Sequence, residues 1–237
     1  MDFLSRHRVL HQISQIAELE FCKIPTSFIL TTVSNSTTKM LQLYGGAATV
    51  DIPSSSHYQI VDVSHFRQIP DTQEVFILES VSPSSGSGES ETSPWSLNGD
   101  ISIIFDILEL VPGAYESAIV THIEDLVESG KPQNCVVHNP LPGATHAQTT
   151  SFIVHVNDRR DAKQSSALFI LTFISLVRLQ NVESDILVTM NVPLDREYSN
   201  AEVSECLRGD GNAIAAAYSV FKTLCLSFKI VNWDLFG

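Results

Sequence analysis

The chain has 237 residues, with 27 acidic against 14 basic side chains and a formal net charge of −13. Apolar residues make up 43% and charged residues 17%, which supports a sizeable core and excludes a disordered chain. A surface this acidic repels nucleic acid and anionic membranes and attracts basic partners, and no uncharged apolar stretch reaches the ~18 residues of a transmembrane helix.

Residues 1–39 stand apart. They hold four basic and three acidic side chains, which leaves −14 on residues 40–237. Their first half is weakly amphipathic, with Arg6, His7, Arg8 and His11 among apolar residues, and TTVSNSTTK closes the segment. Arg with Ser and Thr fits a mitochondrial presequence, but Asp2, Glu18 and Glu20 argue against one, and the pattern of a secretory signal is missing. The expectation is an N-terminal extension or leader over 1–39 and a single domain over 40–237, with the start at Met1 or Met40 left open.

From Leu41 the pattern becomes regular. LQLYGGAATVDI predicts a strand interrupted by a bulge or close backbone approach at Gly45-Gly46. PSSS is a turn, and Asp62 or Ser64 caps a short helical turn running to Arg67. In RQIPDTQEVF, Pro70-Asp71 closes that turn and Glu74 to Leu78 begins a strand, placing two carboxylates at its mouth. SPSSGSGESETSP (82–94) has the composition of a flexible loop. Asn98-Gly99-Asp100 then predicts a cap for a helix over ISIIFDILELV, stopped by Pro112-Gly113, and a second helix covers about 115–128.

After a loop over 131–150, the segments SFIVHVN, ALFILTFISLVRL and DILVTMNVPL are strand-like, and turns such as DRRDAKQ and QNVES suit an antiparallel meander. Arg159-Arg160 falls in one of these turns. A last helix is predicted from about Asp210 to Phe228, ahead of KIVNWDLFG. The fold class is α+β: a twisted antiparallel β-sheet flanked by helices on both faces.

Catalytic patterns are scarce. GSGES is the nearest approach to G-x-S-x-G and lies in the flexible loop; phosphate-binding glycine motifs are missing. In THIEDL only His122 and Asp125 share a helix face, because i and i+3 converge whereas i and i+2 do not. A polar helix face with His122 partly packed outweighs a metal site there. His138, His146 and His155 have no ligand spacing. The cysteines Cys22, Cys135, Cys206 and Cys225 are scattered without a C-x-x-C pair, which points to a reduced compartment, and Cys225 reads as a buried structural thiol. No cofactor is called for.

At LYGGAATVDIP, DVSHFRQIPDTQEVF and DILVTMNVPL the chain resembles the Ran guanine-nucleotide release factors, the Mog proteins, over most of 41–237. The closing VNWDLF also fits. The resemblance implies a PsbP-like α/β/α sandwich, binding to the small GTPase Ran, release of its nucleotide, and a role in nuclear protein import, with nuclear and cytoplasmic residence. It places Ran binding on Asp71 and Glu74 of the P-D-x-Q-E stretch, with Asp62 and Arg67 of the preceding turn as further matches. Asp62 is equally a cap and Arg67 equally its ion partner. The alternatives are a PsbP-like scaffold or assembly module without Ran activity, and a hydrolase using His122 or His155 with a carboxylate.

Overall fold

Apolar side chains recur along the strands on both faces, so a sheet built from them requires cover on each side. The computed structural model describes residues 37–81, 99–127, 135–140, 143–144, 146, 148–156, 169–209 and 211–237. Seven strands form the main sheet: β3 (Tyr58–Asp62), β4 (Gln73–Ser80), β5 (Ile101–Glu109), β6 (Cys135–Pro140), β7 (Gln148–Val156), β8 (Phe169–Leu179) and β9 (Ser184–Leu194). Their spatial order is β3-β4-β5-β9-β8-β7-β6, and every pairing is antiparallel. β1 (Thr38–Leu43), β2 (Ala48–Pro53) and β10 (Lys229–Ile230) make a second, three-stranded antiparallel sheet.

Alternation divides the side chains between two cores. Leu171, Phe173 and Val177 of β8 join Val188 and Met190 of β9 in the larger core, together with the small sheet. Helix α3 (Ala213–Ser227) closes that side through Ala217, Phe221 and Leu224. The intervening Ile174, Leu176 and Leu187 face the other way, against Ala118, Ile119 and Ile123 of helix α1 (Tyr115–Leu126). Cys225 is fully buried in the larger core, as a structural thiol would be. The α+β expectation of an antiparallel sheet with helices on both faces therefore holds, with a second small sheet added.

Several elements differ from the sequence expectation. ISIIFDILELV is strand β5 rather than a helix: Ile101, Ile103 and Phe105 point into the larger core at period two. A strand covered on both faces is apolar nearly throughout, so its spacing imitates a helical stripe, and its four isoleucines favour the extended form. Asp100 does not cap a helix; its carboxylate accepts from Ser80 N at 3.3 Å. LQLYGGAATVDI is not one bulged strand but two, reversed through Tyr44–Gly46, where φ is positive at three successive residues (52°, 64° and 94°). β3 was hidden in a segment read as turn and cap, and β6 in one read as loop. Helix α2 (Asn200–Arg208) was also unforeseen, although Ser199 and Glu202 form a reciprocal capping box that marks its start. The 82–94 loop and Arg159-Arg160 lie outside the described residues.

A buried ionic network fastens α1 to the sheet. Asp185 and Arg178 are register partners at the β8–β9 end, with Arg178 Nε 3.1 Å from Asp185 Oδ1. Arg178 also donates to the carbonyls of Gly113 and Val111, while Asp185 Oδ2 accepts from Val111 N at 3.0 Å. His122 Nε2 lies 3.0 Å from the same oxygen, so His122 is turned inward from α1 and does not converge with exposed Asp125. Among the described residues no group of three or more His, Cys, Asp or Glu is placed to hold a metal ion. Removing the carboxylate leaves a buried guanidinium and the Val111 amide uncompensated. Asp185→Ala is expected to lower stability in urea denaturation by about 3–5 kcal/mol.

Candidate functional site

The site grows from the turn between β3 and β4. Asp62 ends β3 and caps the 3₁₀ turn Val63–His65: its Oδ1 accepts from Ser64 N at 2.9 Å and from Ser64 Oγ at 2.7 Å. Phe66 N and Arg67 N then donate to Val63 O, at 3.0 and 3.2 Å. Gln73 N closes the next turn onto Pro70 O at 2.9 Å, which leaves Asp71 exposed at its tip. Short local hydrogen bonds thus fix a segment that carries no regular helix of its own.

Glu74 has a different task from Asp71. Along β4 it shares a face with Phe76, which is buried in the larger core, so its side chain projects toward the small sheet. There Oε1 accepts from Tyr44 N at 2.5 Å, holding the left-handed β1–β2 turn against β4. Tyr44 and Glu74 are 30 residues apart. Partial burial raises the Glu74 carboxyl above its usual range; the Tyr44 amide opposes the shift and the charge of Asp62 adds to it. Asp106, which lies opposite Gln73 in register, is likewise raised by burial, against the pull of a hydrogen bond from the Gln73 side chain. The Tyr44 hydroxyl is buried without a hydrogen-bond partner among the described residues. Burial, then the charges of Asp106 and Glu74, hold its pKa far above the ordinary tyrosine value, so it stays a neutral donor.

All four sequence candidates lie on the β3–β4 connection and its flanks, but they do not form one cluster of equivalent groups. Asp62 is a cap whose Oδ2 lies 4.0 Å from His65 Nε2. The expected Asp62–Arg67 ion pair is replaced by this histidine contact, because the 3₁₀ turn places residue i+3 beside the cap. Arg67 is exposed. Sequence reasoning missed Tyr44 and Asp106. Asp106 sat in a segment read as helix; the Tyr-Gly-Gly run signalled a tight backbone but not the strand it would lean on.

The hydrolase alternative loses part of its footing here, since His122 is committed to Asp185 in the interior. The side chain of His155 is outside the described residues, as is that of His138. His146 is half-buried, and burial lowers its pKa.

A capping aspartate, an exposed turn aspartate and a half-buried glutamate thus lie on one β3–β4 connection at one end of an antiparallel α+β sheet. A family model described as "Mog1: Ran-interacting Mog1 protein" matches residues 41–193. The chain belongs to that family. It is 28% identical over 202 residues to the "Nuclear import protein MOG1" of Saccharomyces cerevisiae, covering 84% of this chain and 85% of the relative. It is 29% identical over 208 residues to the "Probable ran guanine nucleotide release factor" of Dictyostelium discoideum, covering 82% and 94%. The crystal structure of the Saccharomyces cerevisiae Ran-binding protein Mog1p superposes with a TM-score of 0.57 at 26% identity, covering 85% of this chain and all of that one.

The two carboxylates of P-D-x-Q-E are expected to separate on stability. Glu74→Ala removes a charged acceptor from a partly buried amide and lowers stability by about 1–2 kcal/mol, with faster amide exchange at Tyr44; Asp71→Ala stays within about 0.5 kcal/mol of the unsubstituted chain. Denaturant titration with residue-resolved hydrogen exchange reads both.

Proposed function

We propose that this chain binds the small GTPase Ran and promotes release of its guanine nucleotide, in support of nuclear protein import. The observation that carries the proposal is the acidic edge around Asp71 and Glu74, which lies within the segment matched by the Ran-interacting family model. The names of the yeast and Dictyostelium relatives agree with it. On this reading residues 40–237 are the Ran-binding domain, 1–39 are an extension, the protein acts as a monomer in nucleus and cytoplasm, and it works by binding rather than by covalent chemistry.

The chemistry of the edge favours a cationic partner. Carboxylates repel phosphate, but they pair strongly with lysine and arginine through charge-assisted hydrogen bonds. Asp71, exposed on a short turn, meets such a group at little conformational cost, and Asp62 lies close enough to act on the charge of Glu74. The −14 carried by residues 40–237 steers a basic surface toward the site over longer range.

In a GTPase, the phosphates and their magnesium ion order the switch segments. A partner that binds more tightly when those contacts are loosened shifts the population toward the open state and raises the nucleotide off-rate. The differential affinity for the two states sets the size of the effect. Engagement of a phosphate-holding cation by the acidic edge would supply that difference, since the cation has to leave one anion for the other.

The test is release of a fluorescent guanine nucleotide from purified Ran. The full chain is expected to accelerate release, and Asp71→Lys to lose at least about tenfold of that acceleration, because charge reversal at an interface costs more than about 1.4 kcal/mol. An unchanged melting temperature for the variant ties the loss to contact rather than folding. Full acceleration by Asp71→Lys would remove Asp71 from the site, and no acceleration by the unsubstituted chain would leave the assembly-module alternative.

A further inference from the structure

Phe66 is 78% exposed, more than any other large apolar side chain among the described residues. It follows directly on the capped turn Val63–His65, with its amide bonded to Val63 O at 3.0 Å, so the backbone that presents it is already ordered. Exposing an aromatic ring on a fixed turn gives up burial that folding could otherwise have gained, and aromatic side chains are enriched in protein interfaces relative to the rest of the surface.

The ring borders a groove of about 580 Å³ where an edge strand of each sheet comes close to the other. Met40 of β1 and Ile60 of β3 line it, Phe76 forms part of its wall, and Asp62 and His65 stand at its side. Met40 is itself 59% exposed. Lys39 is the basic side chain at this groove. The groove is continuous with the acidic edge, because Asp62 lines it while its charge also acts on Glu74.

We infer that Phe66 is the apolar anchor of the interface with the GTPase, packing with Met40 around an aliphatic side chain of the partner. That side chain sits beside a lysine or arginine which Asp62, Asp71 and Glu74 engage. The inference rests on the Ran-binding proposal and adds the apolar half of the recognition surface. Interfaces concentrate their energy in a few aromatic or arginine anchors near the centre, ringed by polar groups that exclude water. Phe66 supplies the anchor and the carboxylates the ring. The occupant is argued from charge: Asp62 on the groove, Asp71 and Glu74 on the same β3–β4 connection, and the −14 over residues 40–237 suit a basic surface with a protruding aliphatic group rather than a phosphopeptide or a second copy of this acidic chain.

The experiment measures affinity of the full chain for purified Ran by calorimetry at low and high salt, for the unsubstituted protein, Phe66→Ala, Phe66→Leu and Asp71→Asn. Phe66→Ala is expected to weaken binding about tenfold or more at both salt concentrations with its melting temperature unchanged, and Phe66→Leu by less than about threefold. The loss from Asp71→Asn is expected to shrink at high salt, as a screened charge contact does. If the unsubstituted chain binds and Phe66→Ala binds within about threefold of it, the anchor is overturned and the Ran-binding proposal stands. If the unsubstituted chain does not bind Ran, the functional proposal falls and the anchor with it.

Discussion

The main sheet is apolar on both faces, and most of the architecture follows from covering it. On one side α1 suffices, fastened through the buried Arg178–Asp185–His122 network. On the other, α3 and the small sheet share the task, which brings the β1–β2 hairpin down beside the β3–β4 edge. The hairpin turn has three consecutive residues with positive φ, one of them Tyr44, which carries a side chain and pays for that conformation. Its amide hydrogen points at Glu74. The tether therefore joins the two sheets at the place where the acidic edge is presented.

This gives Glu74 two roles. One oxygen holds the hairpin, and on the proposed function its charge contributes to the field that a basic partner would meet. Partial burial with Asp62 nearby makes the ionised form less comfortable than a surface glutamate, as the direction of its pKa shift shows. On the proposed function, a cation brought by a partner would relieve that cost. Asp71 is exposed at the tip of the turn, and on the proposed function its contribution is to contact rather than to structure. On the proposed interface, the adjoining Phe66 groove would add the apolar surface that charge pairing at a solvated rim lacks, since exposed ion pairs alone contribute little.

Much of this was legible in the chain. The strands β7, β8 and β9 announced themselves by length, β-branched content and short connections, and α1 and α3 by their stop signals. The turn from Asp62 to Asp71 was visible from its Asp, Ser and Pro residues. Burial on both faces was the main source of error, because Ile101 to Leu108 satisfies a helical stripe and a strand equally well until its neighbours are known. Cross-strand partners were beyond reach for the same reason. Nothing local in Tyr-Gly-Gly predicts a hydrogen bond to a residue 30 positions away, nor does His-Phe-Arg show that its phenylalanine stays in water. The capping box at Ser199 and Glu202 was readable and would have located α2.

The most direct test of the central claim is hydrogen–deuterium exchange on the full chain, alone and with saturating Ran. Amides of residues 39–46 and 62–76 should gain protection together, since the tether and the groove join these two segments into one surface. Protection confined to the C-terminal stretch around Val231 and Trp233, with 62–76 exchanging as in the free chain, would contradict the account.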